Sequence, residues 1–301
     1  MNKTQKDISV IITTYGHPQF LKRAIESVLN QTCRNWELII VDDNNPNTKE
    51  RIETELVINE FLSKIPTIKY LKHEFNKNGA AARNTGIRAS NGKYIAFLDD
   101  DDEYAPTRLE KSLTAIQKVS EQYAGVYSGC TFIKRNGKCK KVYAKAPSGN
   151  FLYETLCCTF LFYSGSNIFV KREVFDQIGL FDERFIRHQD YEFLVRFFCK
   201  YDLYGIPEPL LIKYEIGSNI PNYKKLESTK KMYLDKFSDD IAKLDQKKQS
   251  CIFYSNYMQL YFSTPRKEKS DKRLFLTQAM HYHVIKPFDL VKMLLKGIKH
   301  D

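Results

Sequence analysis

The chain has 301 residues, 43% hydrophobic and 28% charged, with 13 Gly and 10 Pro, which describes an ordinary globular protein and excludes a disordered, collagen-like or low-complexity chain. Net charge is +11, and from Lys213 onward 18 Lys and Arg stand against 10 Asp and Glu, a surplus that suits phosphorylated substrates, anionic lipid or nucleic acid without choosing among them. Seven Cys form no CxxC pair or zinc spacing, the start 1–7 is polar, and no apolar run reaches the roughly 20 residues of a membrane span, so the expectation is a cytoplasmic protein with reduced thiols.

Residues 8–13 (ISVIIT) form a continuous β-branched run, as expected of a strand covered on both faces in a parallel sheet. Pro18 then opens a helix with Phe20, Leu21, Ala24, Ile25, Val28 and Leu29 at helical spacing. A second strand, 36–41 (WELIIV), stops at Asp42, Asp43, Asn44, Asn45 and Pro46, which is turn and capping chemistry. A helix over 48–64, a strand at 68–71 and a helix over 80–89 continue the alternation. The fourth strand, 94–98 (YIAFL), runs directly into Asp99, Asp100, Asp101 and Asp102.

This alternation predicts an open α/β sheet flanked by helices, with ligands beyond the carboxyl ends of the strands, where both acidic clusters fall. After a helix at 107–119, residues 125–134 and 138–143 around Asn136-Gly137 read as a strand pair, so the sheet is mixed. A strand at 167–170 and helices at 172–178 and 190–200 follow. From about Gly217 only helices are expected. The predicted division is a catalytic domain over 1–216, in which residues 1–103 bind nucleotide and residues 104–216 face the acceptor, and a helical C-terminal extension over 217–301.

Four adjacent carboxylates repel one another unless a cation or solvent compensates, and hard divalent cations such as Mg²⁺ or Mn²⁺ take oxygen ligands together with substrate phosphate. Helix capping near Pro106 is the plainer reading of the same run. Asp43 can accept from a base imide or cap a helix, Tyr15 can stack on a base or simply pack, and Arg83 can reach a diphosphate or lie on the surface. His188 has phosphate or metal binding against a structural role, and Ser166 an acceptor-side role against a simple turn.

The segments 10–15 (VIITTY), 36–43 (WELIIVDD), 79–87 (GAAARNTGI) and 94–102 (YIAFLDDDD) resemble, in order, blocks of the family 2 glycosyltransferases. A fifth pair, 179–184 (GLFDER) and 188–196 (HQDYEFLVR), is similar to that family's GxFDE and ED segments. The resemblance covers residues 7–215 and implies a GT-A fold with a DxD metal motif. It gives Thr13, Tyr15 and Asp43 to the uracil, Asn76 and Arg83 to the nucleotide, and Asp99 and Asp101 to Mn²⁺ or Mg²⁺, with Asp100 as a further donor-side contact. Asp190 becomes the base of an inverting displacement; Gln189 beside it, and on the residues alone His188 and Ser166, are candidates for the acceptor side. Gln189 stands where the family usually has Glu, and the QxxRW signature of processive synthases is absent, which points to one sugar per encounter.

The implied activity is transfer from a UDP-sugar to a saccharide acceptor, free or lipid-linked, in bacterial surface glycan assembly, with no nucleic-acid partner. The C-terminal stripe Tyr254, Tyr257, Met258, Tyr261, Phe262 reads as packing against the catalytic domain or a second copy. The basic helix carrying Phe288, Leu290, Val291, Leu294, Leu295 and Ile298 reads either so or as peripheral contact with the inner membrane face. Two other functions stay open on the residues alone, a metal-dependent nucleotidyltransferase and a non-catalytic basic binding module.

Overall fold

The computed structural model describes residues 6–282 apart from 66, 135, 137, 143–146 and 216–221, and the backbone alone at 140–142. Two compact units emerge: Met1–Phe151 with Leu161–Gly217, and Leu152–Phe160 with Ser218–Asp301.

In the first unit β1 (Ile8–Thr14), α1 (Pro18–Leu29), β2 (Trp36–Asp42), α2 (Lys49–Leu62), β3 (Lys69–Lys72), α3 (Gly79–Ala89) and β4 (Tyr94–Asp99) alternate as their patterning demands. Ile8, Val10, Ile11, Ile12, Leu38–Val41 and Ile95–Leu98 are almost wholly buried, because helices cover both faces of parallel strands. Pro18 sits in the first turn of α1, and Leu21, Ala24, Ile25 and Val28 form its inward stripe. Thr48 caps α2 by accepting from the Arg51 amide, and Asn78 caps α3 by accepting from Ala80 and Ala81.

Next come β5 (Asp102–Tyr104), α4 (Arg108–Lys118), β6 (Tyr123–Ile133), β7 (Cys139–Val142), a 3₁₀ turn (Gly165–Asn167), β8 (Phe169–Lys171), α6 (Glu173–Ile178), α7 (Gln189–Phe198) and β9 (Asp202–Tyr214). The sheet runs β3-β2-β1-β4-β8-β6-β9-β5, with β7 on β6. The pairs β2–β3, β1–β2 and β1–β4 are parallel, while β4–β8, β6–β8, β6–β7 and β5–β9 are antiparallel. The predicted mixed sheet is thus present. Strand order reverses at β1, which lies between β2 and β4, and the loops after these three strands share hydrogen bonds there: Tyr15 N–H to Asp100 Oδ2 (3.2 Å) and Gly16 N–H to Asn44 Oδ1 (2.8 Å).

Two strands lie where the sequence suggested none. β5 begins with the last acid of the run, and β9 contains Pro207 and Pro209. The ladder tolerates those prolines because its register with β6 jumps from Ser128↔Ile206 to Gly129↔Pro209 at that point. The strand expected at 167–170 is shorter, its first residue belonging to the 3₁₀ turn.

The second unit contains α5 (Leu152–Leu156), α8 (Tyr223–Lys236), α9 (Ser238–Ala242), α10 (Gln246–Ser263) and α11 (Lys269–His281). Leu226, Leu260 and Phe275 form its small core with Tyr223, Tyr257 and Tyr261. The carbonyls ending α5 are taken up by side chains of α8 and α10: Tyr233 to Thr155, Asn256 to Leu156, Ser255 and Gln259 to Cys157. Met258 is buried as the stripe predicts, whereas Phe262 is 46% exposed. The basic helix expected around 288–299 lies outside the described residues. Among the described residues no helix is long and apolar enough to cross a membrane.

Candidate active site

The acidic run leaves β4 with its side chains sorted by direction. One carboxylate oxygen from each of Asp99, Asp101 and Asp102 lies within 4.8 Å of the others. Asp100 points elsewhere: it is 5% exposed and turned onto the end of β1, where it accepts from the Tyr15 amide. Burial, with the charges of Asp101 and Asp99, drives its carboxyl well above the ordinary range.

Asp102, 1% exposed, faces Lys213 across the β5–β9 ladder, and both its oxygens accept from Lys213 Nζ at 2.8 Å. Ser166 Oγ (2.6 Å) and Ser164 Oγ (3.0 Å) donate to the same carboxylate, and Ser166 Oγ accepts from the Asp99 amide at 3.0 Å. Ser166 is fully buried, and in this structure its hydroxyl bonds the acids. Burial disfavours the Lys213 ammonium, but Asp102 and Asp99 outweigh it and hold the proton on.

Asp99 Oδ1 accepts from Arg83 Nη2 at 2.5 Å. Burial would raise its carboxyl, yet Arg83 and Lys213 hold it below the ordinary value. For Asp101 burial, then the charges of Asp102 and Asp99, outweigh the pull of Lys213 and push it up to about 6. Three acids against two cations leave a negative, oxygen-lined pocket, the chemistry a hard divalent cation requires. With Asp102 engaged by Lys213 and two serines, Asp99 and Asp101 are the residues suited to hold it.

Arg83, 6% exposed on α3, lies between two glycines that leave it room. A Cβ on Gly165 would stand 2.8 Å from Arg83 Nη2, and one on Gly79 2.9 Å from Gln189 Nε2. Asp190, half-buried in the first turn of α7, accepts from the Tyr191 amide at 2.9 Å. Burial raises its carboxyl against the pull of Arg83, and Asp99 adds to the rise, which makes the group a stronger base once ionised. Gln189 Oε1 is buried with no hydrogen-bond partner among the described residues. His188 occupies the left-handed region (φ 57°) at the helix start, its ring 5.5 Å from that of Tyr191.

On the nucleotide side, Thr13 is half-buried and pairs with Asp99 across the β1–β4 ladder, while Tyr15 is 55% exposed. Asp43 is 2% exposed, and four protein donors already converge on it: His73 Nδ1 (2.7 Å) and the Lys77 amide (2.8 Å) on Oδ1, Asn76 Nδ2 (2.8 Å) and the Asn78 amide (2.9 Å) on Oδ2. In this structure Asp43 and Asn76 anchor the loop that leads into α3. The sequence reading missed His73, which links Asp43 to Thr85 Oγ1 (2.9 Å), and Arg51, which pairs with Asp42 at 3.0 Å. It also missed Lys213, hidden in the unforeseen β9.

The sequence model described as Glycosyl transferase family 2 matches residues 9–179. The chain belongs to that family. An uncharacterized glycosyltransferase of Methanocaldococcus jannaschii is 34% identical over 233 residues, 75% of this chain and 76% of the relative. The amylovoran biosynthesis glycosyltransferase of Erwinia amylovora is 34% identical over 198 residues, 64% of each chain. The crystal structure of S. aureus TarS residues 1–349 with UDP-GlcNAc superposes on 92% of this chain and 81% of that one, with a TM-score of 0.66 at 13% identity. The shared fold is GT-A, and this glycosyltransferase carries it with the β5–β9 pair closing one end of the sheet.

Proposed function

We propose that this glycosyltransferase moves one sugar from a UDP-sugar to a saccharide acceptor with inversion at the anomeric carbon, in the assembly of a bacterial surface glycan. The observation that carries the reading is the meeting of a negative Asp99–Asp101–Asp102 cluster with buried Arg83, beside a base-capable Asp190. The relatives support it: one is an amylovoran biosynthesis glycosyltransferase, and TarS has been crystallised in complex with UDP-GlcNAc.

Asp99 and Asp101 would hold Mn²⁺ or Mg²⁺, which when bound neutralises the departing diphosphate. Arg83 adds a fixed positive charge on that side and keeps Asp99 ionised. Asp190 takes the proton from the acceptor hydroxyl as its oxygen attacks, and Arg83 keeps the two carboxylates from repelling each other. Gln189 offers a carboxamide to a sugar hydroxyl without adding a third negative charge beside them. The proposal places the enzyme in the cytoplasm, with its C-terminal helices at the inner membrane face when the acceptor is lipid-linked.

Stabilisation of the purified chain by UDP, GDP, CMP and UDP-sugars, with and without Mn²⁺, tests this reading. UDP with Mn²⁺ is expected to raise the melting temperature most, and turnover to vanish in Asp101→Ala and Asp190→Ala. Failure of UDP to stabilise, or full turnover in both variants, would sink it.

A further inference from the structure

The three clustered acids are held in different ways. Asp99 is steered by Arg83, and Asp102 by Lys213 and two serines. Among the described residues no side-chain donor reaches the Asp101 carboxylate, so its direction is set through its main chain. The side chain that grips that main chain is Arg23, whose Nη2 donates to the Asp101 carbonyl at 3.2 Å.

Arg23 is itself held by two further groups, Glu103 and Tyr214. Its Nε lies 2.6 Å from Glu103 Oε1, and its guanidinium carbon lies 3.5 Å from the Tyr214 ring centroid. The Tyr214 hydroxyl donates to the same Glu103 oxygen at 2.8 Å. Because side chains alternate along a strand, Lys213 and Tyr214 at the end of β9 serve opposite faces: one fixes Asp102, the other Arg23.

Arg23 is also the first rung of a polar edge on the first helix. Ser27, one turn later, accepts from the Tyr104 amide at 3.2 Å. Gln31, just past the helix, donates to the Ala105 carbonyl (2.8 Å) and accepts from the Leu109 amide (2.9 Å). The backbone from 101 to 109 is thus held at intervals along one helix edge, and Arg23 is the contact that falls on a carboxylate-bearing residue of the cluster.

We infer that Arg23 is a positioning residue for Asp101: through the Asp101 carbonyl it sets the affinity of the acidic cluster for a divalent cation, touching neither the cation nor the substrate. The inference rests on the metal-binding reading above. The planar guanidinium is required because it binds a carboxylate and a carbonyl at once while lying flat on a ring, which an ammonium cannot do.

The test is Mn²⁺ binding to the full-length chain, followed by the electron paramagnetic resonance signal of free Mn²⁺, for wild type, Arg23→Gln, Arg23→Lys, Asp101→Asn and Lys22→Ala. Removing a residue that orients a metal ligand is expected to weaken Mn²⁺ binding by roughly 10- to 100-fold, so Arg23→Gln should fall in that range and Arg23→Lys between it and wild type. The Mn²⁺ concentration for half-maximal turnover should rise in parallel, with kcat at saturating Mn²⁺ little changed. Lys22, exposed on α1 and paired with Glu60 of α2, should behave as wild type. Wild-type Mn²⁺ affinity in Arg23→Gln, with Asp101→Asn impaired, overturns the inference; wild-type affinity in Asp101→Asn overturns the metal reading beneath it. Should Arg23→Gln not fold, Glu103→Gln loosens Arg23 without touching Asp101 and must weaken Mn²⁺ in the same direction, unchanged affinity again overturning the inference.

Discussion

Replacing Lys213 by Met asks how much of the acidic cluster is structural. The Asp102 carboxylate is 1% exposed and its partner side chain 21% exposed, so the substitution strips the Lys213 ammonium from a buried charge and leaves it two serine hydroxyls. Breaking a buried pair from one side costs about 3 to 5 kcal/mol, a large share of the roughly 5 to 15 kcal/mol that stabilises a folded domain. Urea unfolding followed by fluorescence reads this cleanly, because Trp36, the single Trp, lies in β2 of the sheet-bearing unit. Asp102→Asn in the Lys213→Met background removes the stranded charge and should restore most of the loss, a coupling of about 2 kcal/mol or more. Burial already raises the Asp102 carboxyl above its unfolded value beside Lys213, and it rises further without that cation, so the deficit is full at neutral pH and shrinks as pH falls through the raised value. A cost below about 1 kcal/mol, or a double variant as unstable as the sum of the singles, would refute the assignment of Asp102 as half of a structural ion pair.

Mn²⁺ affinity should fall as pH drops through about 6, where the Asp101 carboxyl takes up a proton that competes with the cation; titration at a series of pH values checks this, and a flat profile contradicts it. Asp190→Asn should lower kcat by about 10²- to 10⁴-fold in a turnover assay while leaving UDP binding by calorimetry near wild type. Gly165→Ala sets a methyl 2.8 Å from Arg83 Nη2, and the displaced guanidinium should cost up to about 100-fold in kcat/KM, seen in steady-state kinetics. His73→Ala removes one of the four donors on Asp43, and loosening of the loop should weaken UDP by roughly tenfold, about 1.4 kcal/mol, in the same calorimetric assay.

The parallel half of the fold was legible because fully buried strands write continuous apolar runs, and each of the first, second and fourth ends abruptly in polar or acidic residues. The pair β5–β9 was not. Three residues, two of them acidic, carry no strand signal, and Pro207 and Pro209 argue against one unless the bulge that absorbs them is known. Missing that pair hid Lys213 and with it the ion pair that separates Asp102 from its neighbours. The surroundings of Asp43 were hidden differently: its residue type and position were apparent, but the four donors on it come from 73–78, some 30 residues away, and only the fold brings them there. Gly79 and Gly165 likewise show their purpose only once Arg83 and Gln189 are seen against them.

The sheet ends at β5, a strand of three residues that begins Asp102-Glu103. A sheet edge invites other chains to pair with it, and here brevity, charge and the first helix, whose Ser27 takes the Tyr104 amide, discourage that. The residues that gather the acids for chemistry therefore also keep the sheet from extending into a neighbouring molecule. Any engineering that neutralises this stretch to change metal preference trades against solubility, and colloidal stability should be followed alongside activity.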